Sequence, residues 1–141
     1  MSLLQYSIAL IGSIMLGGYL HELSHYFVGW LGNTDPKLRW TPLLVPNGVD
    51  HGKIETMSPT IIRFSGISVL VWIPPAILSQ FYLVANFSPI QLFQSLTPLM
   101  VVMMTSNSDI AAVRDPELFR EKWMNEEFDR KMAFLPDKIQ I

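Results

Sequence analysis

The residues best suited to chemistry are His21-Glu22-Leu23-Ser24-His25, two histidines four apart with a glutamate beside the first. On an α-helix, positions four apart share a face, so both imidazoles can reach one cation. Glu22 can approach a water on that cation without ligating it. This is the pattern of a hydrolytic zinc site: two nitrogens hold the ion, the ion acidifies a water, and the glutamate takes the proton. Such a zinc needs a third protein ligand and one open position.

Asp109, in Thr105-Ser106-Asn107-Ser108-Asp109-Ile110, is the candidate third ligand, against the alternative of a helix-capping or span-ending aspartate. His51, in Asp50-His51-Gly52, is open to three readings: a ligand, a plug over the site, or an ordinary loop histidine. Asn107 could orient a substrate carbonyl or stabilise an oxyanion. Ser106 and Ser108 could support the histidines or bond back to their own helix.

The elements that must position these groups are apolar. Half of the 141 residues are hydrophobic and only 16% are charged, whereas soluble domains average about 25%. No charged side chain occurs from Met1 to Leu20, from Tyr26 to Asn33, or from Phe64 to Ser108. About 20 such residues suffice to cross the hydrocarbon core as a helix. The long block divides at Asn86-Phe87-Ser88-Pro89, where Pro89 suits the first turn of a new helix. The expected fold is therefore an all-α membrane protein: a three-helix transmembrane bundle with spans at about 3–31, 62–86 and 89–112. A cleaved signal peptide is the competing reading of the first span, but a basic n-region and a small-residue cleavage site are both missing. Pro74-Pro75 should kink the second span. The glycines of the first span are read as packing positions between helices.

Between the first two spans, Leu38–Val45 and Val49–Met57 flank Pro46-Asn47-Gly48, which predicts a short β-hairpin turning there. Its edge could hold an extended peptide by strand addition. Residues 1–112 form the core. Residues 113–141 form a tail, opened by Asp115-Pro116-Glu117 as a helix start and continuing to Leu135 as an amphipathic helix.

All ten basic residues lie either between spans one and two or after span three. A three-span topology places both segments on one side, which positive charge marks as cytoplasmic. The N-terminus is then outside, with loop 32–61 and the tail cytoplasmic. Spans one and three run in the same direction. His21 and His25 lie about 18 to 22 residues into the first and Asp109 about 20 into the third, which puts all three at similar depth. With no cysteine, the chain is silent on redox compartment and on thiolate metal sites, and the net charge of −2 speaks against nucleic acid as a partner.

An HExxH sequence within a transmembrane helix, with an aspartate near the end of a third span, resembles the site-2 protease group of intramembrane zinc metalloproteases. More closely, it resembles the small zincin peptidases related to them. The resemblance covers roughly residues 5–112. It implies His21, His25 and Asp109 as zinc ligands, Glu22 as the base that activates water, and cleavage of membrane-embedded or membrane-adjacent peptides. The group's Asn-Pro-Asp-Gly type motif is represented here by Asn107-Ser108-Asp109-Ile110, without the glycine.

The expected function is thus a membrane-embedded zinc endopeptidase acting on a membrane-protein or peptide substrate. Two alternatives remain, a non-catalytic zinc-binding membrane protein and a metal-free membrane scaffold. Three helices are a thin wall around a hydrated ion, which suggests a homo-oligomer or partner helices.

Overall fold

A computed structural model describes residues 2–42, 44–85 and 87–125. The chain is mostly helical. Helix α1 (Leu3–Leu31) leads into a two-stranded antiparallel hairpin, β1 (Pro36–Trp40) and β2 (Pro46–His51), and then a 3₁₀ turn at Ile54–Thr56. Helix α2 (Pro59–Ser68) passes through a 3₁₀ turn at Val69–Trp72 into α3 (Ile73–Ala85). Helices α4 (Pro89–Met103), α5 (Asn107–Arg114) and α6 (Pro116–Met124) follow.

The buried residues of α1 include Ala9, Ser13, Gly17, His21, His25 and Gly29, one every four positions. This makes a single narrow stripe of small and polar residues. The opposite face exposes Leu4, Ile8, Ile11 and Met15. A water-soluble helix buries its large apolar residues instead. The small stripe lets α4 come close: a Cβ on Gly17 would stand 2.5 Å from Met100 Cβ and 3.2 Å from the Thr97 carbonyl. Asn33, at φ 55°, ends α1 in the left-handed conformation that asparagine tolerates.

The pairing of residues gives the directions of the helices. Tyr6 stacks on Phe87, Ser13 reaches the Phe93 carbonyl, and His21 reaches Val101, so α1 and α4 run parallel. Against α2 the order reverses, with His25 beside Ser65 and Ser24 bonded to Trp72. Helix α3 returns along α4, joined through the buried Ser95 hydroxyl to the Ser79 carbonyl and through Gln80 to the Ser95 carbonyl.

Two helical stretches, Leu3–Leu31 and Pro59–Ala85, are long and apolar enough to cross a membrane. The segment expected as an unbroken third span is divided. The apolar helix α4 ends at Met103, and α5 begins after Ser106. The reason is local. The Ser106 hydroxyl caps the Asp109 amide at 3.2 Å, and the Asp109 carboxylate takes the Ser106 amide at 2.7 Å. This reciprocal box starts a new helix where Thr105 and Ser106 compete with the old one.

The hairpin forms, but not around Pro46-Asn47-Gly48. Those residues belong to β2, and the turn falls earlier, closed by the Thr41 amide donating to the Val45 carbonyl at 2.9 Å, with Leu44 at φ 58°. The second helical stretch passes from α to 3₁₀ geometry over Val69–Trp72, just before Pro74-Pro75.

Helix α6 packs over α2 and α5 on a cluster of Ile54, Met57, Ile62, Ala112 and Phe119. Its start is as expected, with the Asp115 carboxylate accepting from Leu118 N at 3.0 Å. The expected continuation of this helix to Leu135 falls mostly outside the described residues.

Candidate metal centre

His21 and His25 occupy successive turns of the buried stripe of α1, at 4% and 7% exposure. Each is held by a backbone carbonyl. His21 Nδ1 donates to Val101 O of α4 at 2.9 Å, and His25 Nδ1 donates to Ser65 O of α2 at 3.0 Å. A carbonyl oxygen can only accept, so each Nδ1 carries the hydrogen, and in the neutral ring Nε2 is the nitrogen left bare. The two Nε2 atoms lie 3.2 Å apart.

Asp109 completes the group. Its Oδ1 is 3.2 Å from His25 Nε2 and its Oδ2 is 3.6 Å from His21 Nε2. The carboxylate is aimed by the Ser106 hydroxyl and amide, both on Oδ2, which leaves Oδ1 free to face His25. Gly66 lets α5 approach, since a Cβ there would stand 2.5 Å from the Asp109 carbonyl.

With both rings neutral, two bare nitrogens and a carboxylate face one another, an arrangement that a proton or a metal cation among them would relieve. One ligand atom from each of His21, His25 and Asp109 can be chosen with all three within 4.8 Å of one another. Bonds of about 2.0–2.1 Å in a tetrahedral site place ligand atoms roughly 3.3 Å apart, close to the 3.2 Å between the two nitrogens. The donor set therefore fits a small cation, and this group could hold a metal ion.

Beside it lies a cavity of about 320 Å³. Glu22, half-buried, lines it together with the three donors. Asn47, Gly48 and His51 of β2 form one wall, and Phe119 and Trp123 of α6 another.

The other candidates separate. His51 is buried and lines the cavity, but it does not belong to the three-donor group; its Nδ1 meets Thr34 Oγ1 at 3.0 Å. Ser106 and Ser108 lie 2.6 Å apart, and Ser106 orients Asp109. Asn107 is exposed and does not line the cavity, which argues against a role at a substrate carbonyl.

Several site residues carry no sequence signal that could have found them. Val101 and Ser65 act through backbone carbonyls, and Gly66 through its missing side chain. The aromatic pair of α6 reads in the sequence only as one side of an amphipathic helix. Comparison with protein-family models, with curated proteins and with solved structures returns no match.

Proposed function

We propose that this chain is a membrane-embedded zinc metalloprotease that hydrolyses peptide bonds in or near the bilayer. One observation carries the reading: two histidines, each fixed through Nδ1 by a carbonyl, turn bare Nε2 atoms toward Asp109 at the edge of a cavity lined by Glu22. Zinc suits two imidazoles and a carboxylate, and it supplies Lewis acidity that lowers the pKa of water and polarises a carbonyl.

The chain's own residues do the remaining work. Val101 and Ser65 hold the imidazoles in the ligating tautomer, and Ser106 holds the carboxylate. Glu22 takes the proton of the attacking water and returns it to the departing amine. The β2 wall offers an extended seat for a peptide. A closed structural zinc site takes four protein ligands, whereas the described residues bring three together, which favours the hydrolytic reading over a structural one.

The membrane reading draws support from the lipid-compatible outer face of α1 and from the parallel course of α1 and α4. Parallel neighbours require an intervening return crossing, which α2 and α3 supply. The third crossing is then made by α4 together with α5, with the N-terminus outside and the hairpin and tail in the cytoplasm, where the basic residues lie.

The test is metal content of the purified protein in detergent. About one zinc per chain is expected in the wild type and in Glu22→Gln, with loss in His21→Ala and Asp109→Ala. In cells, wild type but not Glu22→Gln should generate new peptide termini near membrane spans. A wild type that takes up no zinc on reconstitution sinks the proposal.

A further inference from the structure

His51 is 6% exposed, yet it stands apart from the metal-binding group. It ends β2, and its ring lies against α1 at Gly29 and 6.4 Å, centre to centre, from the Trp123 ring. The fit at Gly29 is close, since a Cβ there would stand 2.6 Å from His51 Cε1.

Thr34 decides which nitrogen of His51 carries hydrogen. Its hydroxyl donates to the Gly29 carbonyl at 3.0 Å and lies 3.0 Å from His51 Nδ1. With its one hydrogen committed, the hydroxyl can only accept from Nδ1. Nδ1 is therefore protonated and Nε2 is bare. Among the described residues no polar group meets Nε2, and it is not sealed within protein, because His51 walls the same cavity as Glu22. A buried ring with one nitrogen satisfied and the other turned to a cavity is arranged for a partner from outside.

The tautomer sets the kind of partner. An imidazole in this state cannot donate through Nε2, so it does not stabilise a developing oxyanion. It accepts. The donor that every peptide carries is the backbone N–H.

We propose that His51 is a substrate-binding residue whose Nε2 accepts a hydrogen bond from an amide N–H of the molecule seated at the His21–His25–Asp109 group, with Thr34 fixing the tautomer. The inference rests on the metal-site reading above.

The experiment uses the full chain in detergent, loaded with cobalt(II), whose visible absorption reports ligands entering the site. Two probes are titrated: acetohydroxamate, which carries an N–H, and N-methylacetohydroxamate, which does not. The quantity read is the ratio of their dissociation constants. In His51→Ala the preference for the N–H probe should fall about five- to tenfold, the worth of one net hydrogen bond. Affinity for the methylated probe should be unchanged. His51→Gln, whose side-chain carbonyl reaches toward the place of Nε2, should recover part of the preference. Thr34→Val, which frees the tautomer and leaves the ring in place, should lower it. The same ratio in wild type and His51→Ala, with cobalt bound in both, overturns the proposal and leaves the metal reading standing. If His51→Ala fails to hold cobalt, Thr34→Val decides by the same ratio, and an unchanged ratio there overturns it. A wild type that binds no cobalt overturns both readings together.

Discussion

Gly66 touches no proposed ligand atom, yet replacing it by alanine should disable the metal site. A Cβ at this position would stand 2.5 Å from the Asp109 carbonyl oxygen, 2.8 Å from Val113 Cγ2 and 3.2 Å from Ala112 Cβ. Ordinary contact begins at 3.4 Å, and the nearest of the three atoms is backbone, which no rotamer change can move. Helix α5 must therefore retreat from α2 by nearly 1 Å. Asp109 retreats with it, because its carboxylate is tied to the first turn of α5 through Ser106. The histidines do not follow; they are anchored to Val101 and to Ser65, the latter on α2 itself. Metal–ligand distances tolerate only about ±0.2 Å. The shift thus removes a ligand, and zinc affinity should fall at least 10- to 100-fold, as when a partner that orients a ligand is lost. Overpacking should also lower stability by about 1–3 kcal/mol. Competition with a chromophoric chelator gives the affinity. Gly12→Ala serves as the control, since its Cβ would meet only the edge of the Phe93 ring, at 3.2 Å, on a side chain that can yield. Wild-type zinc affinity in Gly66→Ala, with Asp109→Ala impaired, would refute the argument that α2–α5 spacing sets the position of the carboxylate.

Three further predictions follow from the same geometry. Gly17→Ala should pry α4 from α1 against Met100 Cβ and the Thr97 carbonyl, lowering stability by about 1–3 kcal/mol; thermal unfolding in detergent reads this directly. Ser65→Ala should leave zinc affinity within about threefold of wild type by chelator competition, because it is the Ser65 carbonyl that holds His25, and the hydroxyl stands farther off at 3.3 Å. For His51, burial foremost and the neighbouring His25 next hold the imidazole down to about 4, against an ordinary value of 6.5. Its folded state therefore stays neutral while the unfolded chain takes up a proton. The stabilisation is complete above about pH 6.5, declines as the pH falls toward 4, and levels off below, for a total of roughly 3 kcal/mol. The difference in unfolding free energy between wild type and His51→Phe should slope across that window and be flat above it.

Much of this site is legible in the chain, and the limits have physical causes. His21 and His25 declare themselves through a spacing that only a helix converts into one face, and through their setting in an apolar stretch where ionisable groups are costly. Asp109 is found by counting residues along two parallel helices, which places it at the depth of the histidines, and the structure does bring the three together. What counting cannot give is the break before Asp109. The absence of charge from Phe64 to Ser108 joins this stretch into one span, and only the reciprocal bonds of Ser106 and Asp109 divide it. The position of the hairpin turn escapes the sequence for a related reason. Pro46-Asn47-Gly48 has the composition of a turn, but the pairing of Trp40 with Pro46 and Arg39 with Gly48 absorbs Asn47 as an irregularity within the strand. The sequence leaves His51 open, because its burial depends on Gly29 of α1, Thr34 of the following loop and Trp123 of α6.

One regularity joins the fold to the site. The buried stripe of α1 recurs every four residues from Ala9 to Gly29, with the two histidines set between Gly17 and Gly29. Each glycine serves what packs beside it: Gly17 admits the backbone of α4, and Gly29 admits the ring of His51. Close approach at Gly17, which meets Met100 and the Val101 amide, is what brings the Val101 carbonyl within reach of His21, one turn further along α1. A larger residue in the stripe would therefore act on the metal site at a distance, through helix separation and not through contact. The tautomer of His21 depends on that separation, because the Val101 carbonyl holds the hydrogen on its Nδ1, as the Ser65 carbonyl of α2 does for His25. Helix packing and ligand chemistry are, in this chain, the same set of distances.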